Sequence, residues 1–196
     1  PSDWQVAPVD AGPGELRVVT GMRMAPRKRT MPLVRILAAA ANALPPHVRL
    51  TATLVGDGPE RAGAQRWVHE RGLDDAIVFA GRLDRPGILD VFAHADVYVQ
   101  PSVRESFGLA ALEARKAGLP VVARVQTGTG QFVRDGVEGL LAADDGGLAR
   151  ALVRLGEDRA LRERIAAHNR ATVPEQAWPH VLEIVADAYR EAGAVR

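Results

Sequence analysis

With 196 residues, of which 47% are hydrophobic and 25% charged, the chain can bury one sizeable core and is too apolar to be disordered. Its 25 basic and 24 acidic side chains leave a formal net charge of +1, so no global field recruits nucleic acid or an anionic membrane, and any cationic chemistry must be local. Cysteine is absent, which excludes disulfides and thiolate metal sites and suits a reducing cytoplasm.

Residues 1–14 contain three prolines and two glycines without periodicity and read as an interdomain linker; a chain that begins at Pro1 is expected to be a piece of something longer. Leu16 to Gly21 is a short β-branched run, Thr30 to Leu44 has helical periodicity, and Arg49 to Val55 is a strand that stops at Gly56. The apolar run Leu33 to Leu44 is broken by Arg35 and Asn42 and ends at Pro45-Pro46, so it predicts a buried amphipathic helix and not a membrane span. Alternation continues with Glu60 to Arg71 helical, Ile77 to Ala80 extended, Pro86 to His94 helical, Val97 to Gln100 extended, Phe107 to Ala117 helical, and strands at Val121 to Ala123 and Gly139 to Leu141. Beyond Asp144 the pattern is helical only, through Leu148, Leu152 and Leu155, then Leu161 and Ile165, then Val181, Leu182 and Val185. The expected organisation is therefore a linker at 1–14, an α/β domain at 15–173 and a terminal helix at 174–196. Strand and helix in strict alternation predict a doubly wound parallel sheet, Rossmann-like, with extra C-terminal helices. Ligands of such sheets lie at the carboxyl ends of the strands, which groups Arg23, Gly56, Gly81, Ser102 and Glu105 on one rim.

The stretch from Pro101 to Ala123, PSVRESFGLAALEARKAGLPVVA, carries the most chemistry. A strand end, a short polar loop and a helix starting near a glycine form an anion site, because first-turn backbone N–H groups have no intrahelical partner. The amides of Phe107, Gly108 and Leu109 are the candidate phosphate ligands. Glu105 precedes that helix and Glu113 lies about two turns inside it, so the two carboxylates sit at different depths of one cleft, a spacing suited to hydroxyl groups at either end of a long ligand. Arg23 and Lys28 flank a loop after the first strand and read either as phosphate-binding cations or, with Arg27 and Arg29 beside them, as a solvated basic loop. Glu105 has a bland alternative in a surface pair with Arg104, and Glu113 in a helix-face pair with an arginine. Gly56-Asp57-Gly58-Pro59 is equally readable as a ligand contact and as simple strand-to-helix turn chemistry.

In order along the chain, Gly21-Met22-Arg23 with Lys28, Leu54-Val55-Gly56-Asp57-Gly58-Pro59, Val78-Phe79-Ala80-Gly81, Ala95-Asp96-Val97, Pro101-Ser102 and the pair Glu105 and Glu113 resemble the signature of retaining nucleotide-sugar glycosyltransferases of the GT-B fold, specifically glycosyltransferase family 4 with its E-x7-E motif. The resemblance runs from about Leu16 to Tyr189 and covers only the C-terminal, donor-binding half of such an enzyme. It implies that Arg23 and Lys28 hold the donor diphosphate, that Glu105 contacts the transferred sugar, that Glu113 takes ribose hydroxyls, and that main-chain groups near Arg82 and Leu83 hold the nucleobase. It further implies a nucleoside-diphosphate sugar such as a UDP-sugar as substrate, no cofactor and no metal, and an acceptor held by an N-terminal domain outside the chain. Peripheral membrane association of the full enzyme stays open. Trp178 and Tyr189 would mark a helix crossing back to that domain. One departure stands out: Arg29 occupies a position where glycine commonly follows the lysine.

Other classes fit less well. A noncatalytic nucleotide-binding or interaction module, or an epimerase acting on nucleotide sugars, would share the sheet. No G-x-G-x-x-G follows the first strand, against a nicotinamide-dependent dehydrogenase, and no G-x-S-x-G elbow supports a serine hydrolase. His47, His69, His94, His168 and His180 lack the spacing of a zinc site and read as surface or helix-end residues. Thr127-Gly128-Thr129-Gly130 reads as a plain loop.

Overall fold

A computed structural model of the chain describes residues 4–172, Pro174 and Arg190. Six strands, β1 (Glu15–Gly21), β2 (Arg49–Val55), β3 (Ile77–Gly81), β4 (Val97–Gln100), β5 (Val121–Arg124) and β6 (Gly139–Ala142), form one sheet in the order β3-β2-β1-β4-β5-β6. Every pairing is parallel. The connecting helices are α1 (Thr30–Ala43), α2 (Arg61–His69), α3 (Arg85–Ala93) and α4 (Leu109–Lys116), followed after β6 by α5 (Asp145–Glu157) and α6 (Arg159–Ala171).

Parallel strands need helical crossovers, and crossovers cover both faces, so the central strands are apolar on both sides. Alternate residues of β4 divide accordingly: Val97 and Val99 enter a core with Leu33, Leu37, Leu148 and Leu152 of α1 and α5, whereas Tyr98 enters a second core with Phe92, Ala111 and Leu112 of α3 and α4. The sheet grows outward from β1 in one direction and from β4 in the other. Its topological switch point therefore lies between these two neighbours, where the loops that leave them diverge and open a crevice.

Within the described residues the expected elements are found, with shifted ends. α4 starts at Leu109 and not at Phe107, because Gly108 before it is left-handed (φ 92°). Within the linker, the described residues from Trp4 onward are docked: the Trp4 ring lies 6.1 Å from that of Phe92, and Val9 N–H donates to Ala93 O at 2.8 Å. Trp178, Tyr189 and most of 174–196 lie outside the described residues.

Glu138, 1% exposed, anchors the back of α4 to α6. Its carboxylate accepts from Arg134 N–H at 2.8 Å and pairs with Arg134 Nη2 at 2.5 Å, with His168 Nε2 at 3.1 Å and with buried Arg115 Nη2 at 3.5 Å. His168, read from sequence as a surface or helix-end residue, is thus a half-buried partner in this network. Burial works to raise the Glu138 pKa, but the arginine and histidine contacts outweigh it and hold the group down at about 2, from an ordinary 4.5. A depressed carboxylate contributes stability that is complete above its unfolded pKa and lost as pH falls through its folded one. Glu138→Gln is expected to cost about 3 kcal/mol at pH 7, and urea titrations from pH 7 downward should show wild type and variant converging toward pH 2.

Candidate functional site

The loop after β1 is fixed by main-chain contacts on both sides of Arg23. Met22 N–H donates to Val55 O at 3.0 Å, Met24 N–H to Asp57 O at 2.9 Å, and Glu60 N–H to Met24 O at 3.0 Å. The loop after β2 lies so close that a Cβ on Gly56, which has φ +123°, would meet Met22 O at 2.0 Å. Glycine at 56 is thus required by backbone approach. Met24 is fully buried and Arg23 exposed between these clamps, over a cleft of about 650 Å³ whose walls include Gly21, Gly56, Arg82 and Leu83. The Gly56 turn is thus set by strand-to-helix turn chemistry, and it lines the cleft.

Past Arg23 the chain makes a 3-10 turn, Pro26–Lys28, and Arg29 takes a left-handed backbone (φ 65°), unique among non-glycine residues in the described part. That conformation costs about 1–2 kcal/mol for a residue bearing a Cβ. The arginine at the position where glycine is expected does not alter the glycine-like backbone. Its guanidinium forks onto Asp145, with Nη1 to Oδ1 at 3.0 Å and Nη2 to Oδ2 at 2.8 Å, and Arg124 Nη2 reaches the same carboxylate at 2.6 Å. Arg29 is thereby committed to the start of α5, which leaves Lys28 facing the switch point.

Lys28 Nζ lies 2.6 Å from Glu105 Oε2, across the gap between the β1 and β4 loops. The same oxygen accepts from Gln100 Nε2 at 3.0 Å, and Gln100 Oε1 faces the Tyr98 hydroxyl at 3.2 Å. The amide orientation is the one that satisfies both neighbours, since a carboxylate can only accept. Tyr98 is fully buried, its hydroxyl also 3.2 Å from Gly21 O, and desolvation pushes its pKa well above the ordinary phenol value, so it keeps its proton. Glu105 is thus held by Lys28 and Gln100, and not by Arg104.

Behind Glu105 the chain turns through Gly108 into α4. No hydrogen bond among the described residues uses the N–H groups of Phe107, Gly108, Leu109 or Ala110, so the helix presents four free donors, and no side chain caps it. The loop containing Thr127 and Gly128 packs on this turn, with Gly128 N–H donating to Glu105 O at 2.8 Å, and with Arg27, Arg104 and Ser106 it walls a depression of about 410 Å³ beside Glu105. A segment read from sequence as a plain loop is therefore part of the site.

The other expected residues are spread more widely. Arg23, Gly56, Arg82 and Leu83 share one cleft, and Glu105 lines the adjacent depression. Glu113 is half-buried one turn into α4 and lines neither. It makes no hydrogen bond or ion pair among the described residues; burial raises its pKa against the nearby charges of Arg85 and Lys116. Ser102 is 1% exposed with its hydroxyl unpartnered, so it lies beneath the rim and not on it. Among the described residues no group of three or more His, Cys, Asp or Glu could hold a metal ion. Sequence reasoning missed Gln100, whose signal was a polar side chain ending an otherwise apolar strand, and Asp145, whose partners are 116 and 21 residues away.

The order of these loops is mirrored in known proteins. The model of the family described as glycosyl transferases group 1 matches residues 16–158. The chain belongs to this family. A relative from Stackebrandtia nassauensis, named D-inositol 3-phosphate glycosyltransferase, is 37% identical over 180 residues, covering 87% of this chain and 40% of the relative. A protein of the same name from Streptomyces griseus is 34% identical over 179 residues, covering 87% and 38%. Among solved structures, Anabaena HepE in complex with UDP superposes with a TM-score of 0.76 at 27% identity, over 93% of this chain and 50% of that one. The C-terminal domain of LpcC, a group 1 family protein from Francisella tularensis, gives 0.69 at 27% identity over 81% and 84%. The chain thus spans about 40% of the length of the curated relatives it matches, and its Rossmann-like sheet matches that of GT-B glycosyltransferase structures.

The clamp around Arg23 is testable. Gly56→Ala should destabilise the fold by on the order of 3 kcal/mol, from a left-handed backbone and a forced separation of the two loops. An unfolding free energy from urea titration within about 1 kcal/mol of wild type would show that the loops are not held together in this way.

Proposed function

We propose that this chain is the donor-binding half of a retaining glycosyltransferase that moves a sugar from a nucleoside-diphosphate sugar to an acceptor. The observation that carries the reading is the Lys28–Glu105 contact across the switch point, next to the open amide end of α4. There a cation, an acid and unpartnered N–H donors converge, which is the set a pyrophosphate joined to a polyol requires.

In this reading the diphosphate lies on the Phe107, Gly108 and Leu109 amides and draws Lys28 toward itself, while Arg23 closes from the opposite lip. Gln100 keeps Glu105 in place as Lys28 shifts, and Glu105 accepts from hydroxyls of the sugar. Glu113, with no partner to displace among the described residues, takes ribose hydroxyls, and main-chain groups at Arg82 and Leu83 receive the base. Departure of the nucleoside diphosphate builds charge on its outer phosphate, and the two cations stabilise that charge without a metal. The leaving phosphate accepts the proton of the attacking acceptor hydroxyl on the same face of the sugar, so configuration is kept and no protein nucleophile is needed. The UDP bound by Anabaena HepE supports a uridine nucleotide. The relatives are more than twice as long, which supports an acceptor site on a further domain. No described helix is long and apolar enough to cross a membrane, and a cysteine-free chain suits the cytoplasm.

Calorimetry with UDP, GDP and ADP should detect binding of one of them to this chain, and no heat with any of the three would overturn the reading. In the full-length enzyme Arg23→Ala should lower kcat by about a hundredfold or more, the usual effect of removing one transition-state donor. An unchanged kcat would return Arg23 to the solvated surface.

A further inference from the structure

The end of the sheet opposite the switch point holds a second cavity, of about 440 Å³. Its walls come from Val9 and Asp10 of the N-terminal segment, Asp96 before β4, Gly118 and Leu119 before β5, and the α6 residues Arg159, Arg162, Glu163 and Arg170. We propose that this cavity is a binding site for a small oxyanion of the phosphate or carboxylate class, held by Arg162 and Arg170.

Arg162 is 8% exposed, and its one hydrogen bond among the described residues runs from Nη1 to Leu155 O at 2.5 Å, at the last turn of α5. The remaining guanidinium donors have no acceptor there. Burying a cation is costly unless an anion accompanies it. The acids around the cavity are already engaged. Asp96 is held by Arg17 through Nε at 3.1 Å, Nη2 at 3.0 Å and the main-chain N–H at 2.8 Å. Glu163 is held by Arg159 Nε at 2.6 Å, and Asp10 by Arg159 Nη2 at 3.3 Å and by Gly12 N–H at 3.0 Å. Arg170 lies across Gly118, and no acid pairs with it among the described residues.

Arg17, which stands behind the cavity wall, ties up Asp96, and Arg159 ties up Glu163 and Asp10, so Arg162 and Arg170 are the lining arginines that form no ion pair among the described residues. The effect of burial on Arg162 agrees, since desolvation lowers its pKa despite the nearby charges of Asp96 and Glu163. A tetrahedral phosphate or a small dicarboxylate fits the volume and would accept from the guanidinium groups that line it. The site is separate from the switch point and does not depend on the function proposed for it.

The test is an NMR titration of the isotope-labelled chain with inorganic phosphate and, in parallel, with succinate at constant ionic strength. Saturating shifts of the Gly118 and Leu119 amides and of the Arg162 Nε signal are expected, with a Kd of about 1 mM. Phosphate or succinate acting alone identifies the ligand class, and either result supports the site. Arg170→Gln, on an exposed side chain, should weaken binding about fivefold or more. Arg162→Gln should abolish it, and Arg170→Gln keeps the test decisive if that variant does not fold. No shift at Gly118 and Leu119 with either anion, or unchanged affinity in Arg170→Gln, would overturn the proposal. Shifts confined to Gly108 would report the switch-point site alone and count against this one.

Discussion

The arrangement rests on one topological constraint: β1 and β4 are hydrogen-bonded neighbours whose following loops leave in opposite directions. That divergence positions the candidate side chains of the rim. Lys28 reaches Glu105 because the loops that carry them start from adjacent strands, 77 residues apart in sequence. The apolar layers of α1 and α5 on one face and of α3 and α4 on the other hold the two strands together, so core packing is what sets the spacing of the polar rim.

Side chains of one sign are distributed so that the cations do not compete. Arg29 and Arg124 both bind Asp145, Arg17 binds Asp96, and Arg115 and Arg134 bind Glu138. These pairings leave Arg23, Arg27 and Lys28 as the cations of the first loop on the rim.

Much of this was legible in the sequence. The strand and helix alternation, the rim positions and the ordered motifs follow from periodicity and from glycines at strand ends, which are local signals. What escaped depends on contacts distant in sequence. Periodicity could not show that Gly108 is left-handed, and so α4 was expected to start two residues early. Ser102 belongs to the right strand end but turns beneath the rim, a matter of packing. Gln100 matters through Tyr98 and Glu105 together, His168 through Glu138, and the loop at Gly128 through a bond to the Glu105 carbonyl. The Arg29 departure reads as a lost glycine until Asp145 supplies the partner that keeps the backbone in place.

The Lys28–Glu105 pair also bears on what the crevice attracts. Its opposite charges are mutually compensated, so this part of the rim behaves as a dipole and exerts little pull on stray ions. A simple anion that captured the ammonium would strand the carboxylate with only Gln100 beside it. A molecule bearing phosphates and hydroxyls in the right order replaces both halves of the pair together. Under the proposed function the contact would work as a coincidence filter, rejecting partial mimics by the cost of leaving one partner unsatisfied.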